Sequence, residues 1–501
     1  MEAQPEDAGC MPGTRVKLLG DVLVLLKSHA FPHIVWIAGM AGTGKTSIAN
    51  TLCSMIWMDP MVYLGGSFFC SRSAGSVERT DVKRIVPTLA TLLARQFPAF
   101  ASSLAKQLSE TPDVAHWSVQ SQVDRLIVQP LNELAQDTYT GQLVFVIDAL
   151  DECNNSSLLS ELINHIADFE CKLPVKFLLT SRPEMHIRTT PINDPVFSSI
   201  LSLHTVDPEQ VNKDIRFYIC TKLERAFKAT PWCFDNEVEA LVTLSGGLFI
   251  FASTVLKYVF NRGNDSGWRE RLQKTTSAVI YSTVATKPLD QIYELVIAEA
   301  SQTDQVDTDE LERMRKILAC ILTARASLSV QALADLVGSS SDTLRGSLER
   351  LHALVHLPDS DTESGVRTLH ASFGDYMLGR AANHIRLDPT LGHDLLAAGC
   401  MRRMSWSDLR FNISRSRSSY EPNAIFQPDS ISLSLVYACL HWAHHIDGAS
   451  TRSAFDEMVG GTFRRKFLFW LEVLSIMGNM TVASGLLRIA GSAVSLSLNC
   501  L

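Results

Sequence analysis

Residues 33–53, "HIVWIAGMAGTGKTSIANTLC", predict the architecture of the first part of the chain. The stretch opens with the apolar run "IVWIA", continues with three glycines within six positions, and ends in a pattern typical of a helix. A buried strand, a glycine loop and a helix in this order bring backbone N–H groups and a helix N-terminus to one point. Such a unit is suited to binding an anion.

The glycine loop fits the Walker A pattern, which runs here from Gly39 to Thr46. Glycines let the backbone bend so that successive N–H groups point at phosphate oxygens, and the helix that follows presents the positive end of its dipole. We predict that Lys45 binds the β- and γ-phosphates of a nucleotide and that Thr46 offers its hydroxyl to Mg²⁺. The predicted nucleotide-binding residues of the loop are Gly39, Met40, Ala41, Gly42, Thr43, Gly44, Lys45, Thr46 and Ser47.

A second apolar run, "LVFVIDALDEC" (143–153), ends in acidic residues. A strand here would deliver Asp148 to the carboxyl edge of a parallel sheet, where the glycine loop must also lie. We predict that Asp148 binds Mg²⁺ together with Thr46. Asp151 and Glu152 follow within four residues and are the predicted catalytic residues, which orient or deprotonate the water of a hydrolysis reaction.

A third apolar run, "FLLTSR" (177–182), places an arginine just beyond a strand end. A guanidinium at that edge is suited to sensing the γ-phosphate, so Arg182 is a candidate nucleotide-binding residue. Spacing alone equally allows a surface arginine before Pro183. Both interpretations stay open at this point.

The order of patterns along the chain predicts the fold class. Apolar strands alternate with helices over the first two hundred residues, which indicates an α/β P-loop NTPase with a parallel sheet between two layers of helices. Helical patterns follow at 209–227, 236–260 and 288–300. Residues 311–378 predict three helices and a two-stranded hairpin, which is the plan of a winged helix, and residues 391–475 are helical again.

Composition limits the function classes. The 501 residues carry a formal net charge of −8, with 20% charged and 46% hydrophobic residues, which is typical of a soluble protein of several domains. The acidic balance argues against nucleic-acid binding. The N-terminus lacks the apolar segment of a secretory signal, and the 11 cysteines show no paired spacing, so we expect a cytoplasmic protein. The uncharged stretch 473–487 is too short for a membrane span, and a buried or poorly packed helix is expected there.

The motifs occur in an order that resembles the NACHT family, which belongs to the signal-transducing NTPases with numerous domains (STAND). "GMAGTGKTS", "VFVIDALDEC" and "FLLTSRPE" are followed by "SGGLFIFAS" and by a segment that ends "LHASFGDYML". The finer resemblance is to fungal members related to heterokaryon-incompatibility and nephrocystin-3-like NTPases. It rests on "CMPGTR", "SFFCSR", "LIVQPL", "PLDQIYELV", "YACLHWAHHI" and "FWLEVLS" and covers about residues 9–475.

The resemblance implies a domain plan. The strand that carries Arg182 should lie between the strands of the Walker A and Walker B motifs, and three further domains should fold over the nucleotide. The implied segments are an N-terminal tail (1–13), the NACHT domain (14–205), helical domain 1 (206–305), the winged helix (306–385), helical domain 2 (386–480) and a C-terminal tail (481–501). Many relatives carry a proline where this chain has Phe249, so their base contact at that position is not carried over.

The resemblance also implies a second contact with the nucleotide. In such proteins the winged helix acts as a clamp rather than a DNA reader, and a histidine of its "LH-x-SF" segment contacts the β-phosphate of ADP in the closed state. The matching residue here is His370. Relatives usually add an effector domain and sensor repeats, which this chain does not show. It is therefore expected to be a truncated or minimal form, or to work with an effector or sensor protein in trans.

Three functions from different classes follow from these patterns. The first is a switch that is closed with ADP, opens with ATP or GTP to form a homo-oligomer, and is reset by slow Mg²⁺-dependent hydrolysis, in innate-immunity or self/non-self signalling. The second is a turnover NTPase coupled to mechanical work. The third is a nucleic-acid regulator that uses the winged helix, although its would-be recognition helix balances Arg345 and Arg350 against Asp342 and Glu349.

Overall fold

The computed structural model describes fourteen stretches of the chain, which fall into two compact units. The stretches are 9–28, 32–72, 79–110, 117–134, 141–226, 235–260, 267–280, 288–301, 308–358, 360–361, 365–383, 385–405, 408–417 and 431–493. One unit contains the described residues up to Leu289, and the other contains those from Asp290 onward. Residues 1–8 of the predicted N-terminal tail and 494–501 of the predicted C-terminal tail lie outside the described residues.

The first unit is built on a five-stranded parallel sheet. Its strands are β1 (Ile34–Ala38), β2 (Val62–Phe69), β3 (Gln142–Asp148), β4 (Val175–Ser181) and β5 (Ser198–Ser202). They are arranged in the order β2-β3-β4-β1-β5, and every pairing is parallel. The predicted parallel sheet is thus confirmed, and β4 lies between β1 and β3, as the resemblance implied. β1, β3 and β4 are buried along their whole length, which explains their continuous apolar sequences.

Helices cover both faces of this sheet. They are α1 (Val16–Lys27), α2 (Lys45–Met58), α3 (Ile85–Gln96), α4 (Pro98–Glu110), α5 (Val119–Val123), α6 (Gln129–Glu133), α7 (Ser156–Ala167) and α8 (Met185–Arg188). One core joins α1 and α2 to the face that bears Val35 and Ile37. A second core joins α3, α4 and α7 to the face that bears Ile34 and Trp36. The alternation of side chains along β1 therefore supplies both cores of a three-layer domain.

The sheet is followed by helices α9 (Pro208–Ala226), α10 (Asp235–Ser245), α11 (Phe249–Val259) and α12 (Trp268–Ile280). The predicted helical stretch over 236–260 corresponds to two helices, α10 and α11. The helix breaks at Gly246 and Gly247, whose φ angles are +53° and +80°. This left-handed backbone ends α10 and starts α11 in a new direction, and glycine adopts it without a steric penalty.

The described residues of the second unit form helices and one small sheet. Its helices are α13 (Pro288–Ser301), α14 (Thr308–Thr323), α15 (Val330–Val337), α16 (Ser341–Glu349), α17 (Ala371–Asp375), α18 (Pro389–Ser405), α19 (Leu433–Gly448), α20 (Asp456–Ile476) and α21 (Ala483–Ala493). Between α16 and α17, strands β6 (Val355–His356) and β7 (Arg367–Thr368) pair antiparallel. Three helices and a two-stranded sheet thus occur in the predicted order.

The uncharged stretch 473–487 does not form one helix. It contains the end of α20, a short 3-10 turn at Met480–Val482 and the start of α21, because Gly478 adopts a φ of +67° between them. Within the described stretches, none of the helices combines the length and apolar character that crossing a membrane requires.

Candidate functional site

The glycine loop connects β1 to α2 at the carboxyl edge of the sheet. Gly42 and Gly44 have φ angles of +81° and +92°, and Gly44 is the N-cap of α2. Gly39 N–H donates to Ser181 O at the end of the neighbouring strand β4 (3.1 Å). The loop therefore turns sharply around the N-terminus of α2, as its glycines predict, while its first residue is fixed to the sheet.

One glycine of the loop packs closely against α11. Gly42 O accepts a hydrogen bond from Ile250 N–H (3.2 Å), and a Cβ built on Gly42 would lie 2.0 Å from Ile250 Cγ2. Only a residue without a side chain fits at this position. The loop is thus anchored on the helices that follow the sheet as well as on the sheet itself.

The Gly42–Ile250 contact supports a stability prediction. We expect Gly42→Ala to lower the free energy of unfolding by about 2 kcal/mol or more, because both backbone strain and overpacking act. Gly44→Ala is the matched control, since Gly44 has the same left-handed backbone but no described heavy atom lies within 4 Å of a Cβ built on it. Thermal unfolding without nucleotide should show a larger loss of Tm for Gly42→Ala, partly regained in Gly42→Ala/Ile250→Ala. Equal losses in the two glycine variants would contradict the packing argument.

Lys45, the first residue of α2, lies against the loop. Its Nζ donates to Gly39 O (2.8 Å) and Met40 O (3.1 Å), and the side chain is buried. Burial lowers the pKa of Lys45, while the charges of Asp151 and Asp148 act in the opposite direction. The ammonium group is therefore close to the acidic residues and is held in place by carbonyls of the loop.

Asp148 ends β3 and is almost fully buried, with 1% exposure. Its Oδ2 accepts from the Thr46 hydroxyl (2.8 Å), and its Oδ1 accepts from the Thr180 hydroxyl (2.5 Å). Burial raises the pKa of Asp148, and the two hydroxyl hydrogen bonds and Lys45 counteract that effect. A buried carboxylate beside a hydroxyl is the oxygen donor set that Mg²⁺ prefers, and a cation would offset the cost of the buried charge. Asp148 and Thr46 thus fit a magnesium ion.

Asp151 is paired with Arg182. Asp151 lies in a short 3-10 helix, Leu150–Glu152, which follows β3. Asp151 Oδ1 accepts from Arg182 N–H (2.8 Å), and Asp151 Oδ2 lies 3.1 Å from Arg182 Nε. The predicted γ-phosphate sensor and one of the two predicted catalytic acids therefore bind each other in this structure. This leaves Glu152 as the stronger candidate for the residue that acts on water.

Glu152 is held by a segment that follows β2. Its Oε2 accepts from Arg72 N–H (2.7 Å), and the Arg72 guanidinium donates to Asp151 O (2.7 Å) and Glu152 O (3.3 Å). Burial raises the pKa of Glu152, and the hydrogen bond from Arg72 lowers it. A buried carboxylate whose pKa is raised above its ordinary value is a candidate general base.

Arg15 reaches the same loop from the residue before α1. Its Nη2 donates to Thr43 O (3.2 Å), and its guanidinium carbon lies 5.0 Å from the centre of the Phe249 ring. The side chain is buried, and its Nε and Nη1 have no hydrogen-bond partner among the residues that the structure describes. A buried guanidinium with unused donors next to the loop is available for a further polar group, so Arg15 joins the candidate residues.

His370 lies in the second unit, where it is the N-cap of α17. Its Nδ1 accepts from Ser372 N–H (3.0 Å) and lies 2.7 Å from Ser372 Oγ. Because Nδ1 accepts from a backbone N–H, the proton of the neutral ring is on Nε2, which is then a donor. The contact of His370 with the β-phosphate of ADP stays a prediction.

Three of these residues were not predicted to be part of a site. Thr180 is a buried polar residue inside an apolar strand, which is a signal that the sequence contains. Arg15 follows the turn residues "PGT", and Arg72 follows the end of a strand, but neither position indicates its distant partner. Long-range contacts of this kind come from the topology rather than from local pattern.

Comparison with known proteins gave one family match. The model of the family described as nephrocystin 3, N-terminal, matches residues 22–182, which contain the glycine loop, the acidic turn and Arg182. This agrees with the nephrocystin-3-like part of the resemblance. A search of curated proteins returned no match.

Solved structures show weak overall likeness. A variant of RuvB from Thermotoga maritima is 16% identical, with 72% of this chain and 92% of that chain covered and a TM-score of 0.27. The ORC1 protein of Aeropyrum pernix in complex with DNA is 14% identical, with 78% and 94% covered and a TM-score of 0.37. Drosophila ORC bound to DNA is 13% identical, with 68% and 81% covered and a TM-score of 0.29. At these TM-scores we draw no conclusion about this chain from them.

Proposed function

We propose that this chain is a NACHT-type NTPase of the STAND class, of the fungal heterokaryon-incompatibility or nephrocystin-3-like kind, which works as a nucleotide-dependent signalling switch. The observation that carries the proposal is the convergence of charge at the glycine loop. Lys45 binds carbonyls of the loop, and the next residue, Thr46, donates to Asp148. Asp151 pairs with Arg182 at the same edge of the sheet. A cation, a metal-binding acid, a candidate base and a second cation beside a helix N-terminus are the groups that nucleotide hydrolysis requires.

Each residue has a role in this proposal. Backbone N–H groups of the loop and Lys45 bind the phosphates of ATP or GTP, and Thr46 with Asp148 would hold Mg²⁺, which neutralises phosphate charge when bound. Glu152 accepts a proton from the attacking water. Arg182 is exchanged between Asp151 and the γ-phosphate, since an arginine fork binds either group well. That exchange would make the acidic turn respond to the presence of a triphosphate.

The same proposal assigns the domains. We assign the NACHT domain to 14–205, helical domain 1 to 206–305, the winged helix to 306–385 and helical domain 2 to 386–480. The switch is closed with ADP, through His370, and open with ATP, when a homo-oligomer forms. Its trigger and its output involve sensor and effector elements that act together with this segment, in a cytoplasmic, immunity-type pathway.

A nucleic-acid role for the winged helix receives little support from its charges. Arg345, on α16, donates through Nε to Asp361 Oδ1 (2.7 Å). A guanidinium that binds a carboxylate of its own unit contributes little net charge for phosphate contacts. We therefore assign this segment to the clamp.

A variant of His370 tests the switch. His370→Asn keeps an acceptor that caps α17 but removes the donor at Nε2. We expect ADP to dissociate at least about 10-fold faster, since a hydrogen bond to a charged group contributes about 1.5–3 kcal/mol. Stopped-flow release of a fluorescent ADP measures this rate, with His352→Ala as the control from the same unit. An unchanged rate in His370→Asn would contradict the clamp.

Steady-state hydrolysis separates the switch from the motor. A switch that is reset slowly should turn over well below about 1 s⁻¹, the low end of ordinary enzyme rates. Faster continuous hydrolysis would favour the turnover NTPase.

A further inference from the structure

The segment after β2 is joined closely to the acidic turn after β3. Cys70 N–H donates to Asp148 O (3.0 Å), which continues the pairing of the two strands by one residue. Arg72 then binds Asp151 and Glu152 through the contacts described above. A displacement of residues 70–72 would therefore be transmitted directly to Glu152.

Two thiols lie at the centre of this junction. The Sγ atoms of Cys70 and Cys153 are 3.5 Å apart, although the residues are separated by 83 positions in the sequence. Both thiols are free and buried, with exposed fractions of 4% and 8%. Cys153 directly follows Glu152, so the pair connects the end of one strand to the residue that we propose as the base.

We propose that Cys70 and Cys153 form a redox modification site, at which a hydroperoxide converts the two thiols into a disulfide. A disulfide needs the sulfur atoms about 2.0 Å apart, so the present separation must shorten by about 1.5 Å. The two sulfur atoms are already in van der Waals contact. We expect rotation of the two side chains, with a small shift of the acidic turn, to bring them to bonding distance.

The chemistry is balanced with a hydroperoxide as the oxidant. The Cys153 thiolate attacks one peroxide oxygen, the O–O bond breaks, and a sulfenic acid and one water or alcohol result. The Cys70 sulfur then attacks the sulfenyl sulfur, the S–O bond breaks, and hydroxide leaves as water with the Cys70 proton. Two thiols lose two electrons in total, and the peroxide is reduced by two electrons.

Burial sets the conditions for this reaction. The hydrogen bond with Cys153 and desolvation raise the pKa of Cys70 well above its ordinary value. Cys153 is the more exposed of the two thiols, so we expect it to react with the peroxide first. The pair stays reduced without added oxidant, and we expect the link to form slowly and to be reversed by dithiothreitol.

The link should alter hydrolysis but not nucleotide binding. It would fix the acidic turn to the end of β2 and shift Glu152, which is bonded to Arg72, while the glycine loop is untouched. Oxidised protein should therefore lose at least about 10-fold in turnover, in line with the usual contribution of a positioned base. This consequence rests on the proposed function, whereas formation of the link does not.

Peptide mapping of the full chain tests the link. Reduced protein is treated with hydrogen peroxide, its remaining thiols are blocked with N-ethylmaleimide, and it is digested with trypsin without reduction. Cleavage after Lys45, Arg72, Arg125 and Lys172 releases peptides 46–72 and 126–172, each of which carries two cysteines. Cys53→Ala/Cys171→Ser leaves only the proposed pair in these peptides and serves as the matched control. Cys171 is half-buried, and its thiol is bonded to Asn132 rather than to a thiol.

We expect the linked peptides in the wild type and in the control variant, and their loss in Cys153→Ala, Cys70→Ala and after reduction. Oxidation of both thiols to sulfinic acid without a link, or a link that persists in Cys153→Ala, would overturn the proposal. Circular dichroism checks that each variant is folded. If the link forms but nucleotide does not bind at all, the redox site stands and the proposed function fails.

Discussion

Replacement of Lys45 by methionine is expected to weaken the binding of ADP and ATP by at least about 100-fold. The ammonium group is buried and held by carbonyls of the loop at 2.8 and 3.1 Å, so it is already in place to meet the phosphates. Removal of one partner of a buried charge pair costs about 3–5 kcal/mol, and each 1.36 kcal/mol corresponds to a factor of ten. Methionine keeps the length of the side chain and removes only its charge and its donors.

Titration calorimetry or a fluorescent nucleotide measures this affinity. Lys17→Met is the control, because Lys17 is exposed on α1 and loses the same charge without affecting the loop. If Lys45→Met binds nucleotide as the wild type does while Lys17→Met also has no effect, the loop does not hold phosphate in the proposed way.

Glu152→Gln is expected to lower the rate of ATP hydrolysis by about 100-fold or more, with ATP binding retained. Glutamine preserves the size of the side chain and can still accept a hydrogen bond from Arg72 N–H, but it cannot take a proton from water. A positioned general base contributes about 10²–10⁴ to a rate. Single-turnover hydrolysis and nucleotide affinity, measured on the same preparation, separate a loss of the chemical step from a loss of ATP binding.

The pH dependence provides a further check on Glu152. Burial raises the pKa of Glu152 above its ordinary value of 4.5, and only the deprotonated form can act as a base. The rate should therefore rise with pH through a midpoint above 4.5, and this rise should be absent in Glu152→Gln. Glu170→Gln, which changes an exposed glutamate of the same unit, should leave both rate and profile unchanged. If Glu152→Gln hydrolyses ATP as fast as the wild type, a residue other than Glu152 acts as the base.

Local patterns in the sequence predicted the sheet and the edge at which the site lies. Continuous apolar sequences identify β1, β3 and β4, because these strands are buried on both faces. A parallel sheet brings the residues after these strands to one edge, which is why the sequence alone groups Lys45, Asp148 and Arg182.

The contacts between individual side chains at that edge could not be predicted in the same way. The pairing of Asp151 with Arg182 depends on where two turns lie relative to each other, to within an ångström. The helical pattern over 236–260 does not predict the break after Ser245, because apolar residues continue on both sides of Gly246 and Gly247. The contact between Cys70 and Cys153 follows from the register of β2 and β3, which no single segment encodes.

Native mass spectrometry of the gently purified chain, before and after addition of Mg²⁺ and ADP, tests whether this protein is a nucleotide-binding switch. We predict one purine nucleoside diphosphate per chain, retained from the cell or acquired on addition, and none in Lys45→Met. A folded wild-type chain that carries no nucleotide and acquires none after addition of Mg²⁺ and ADP would contradict the proposal.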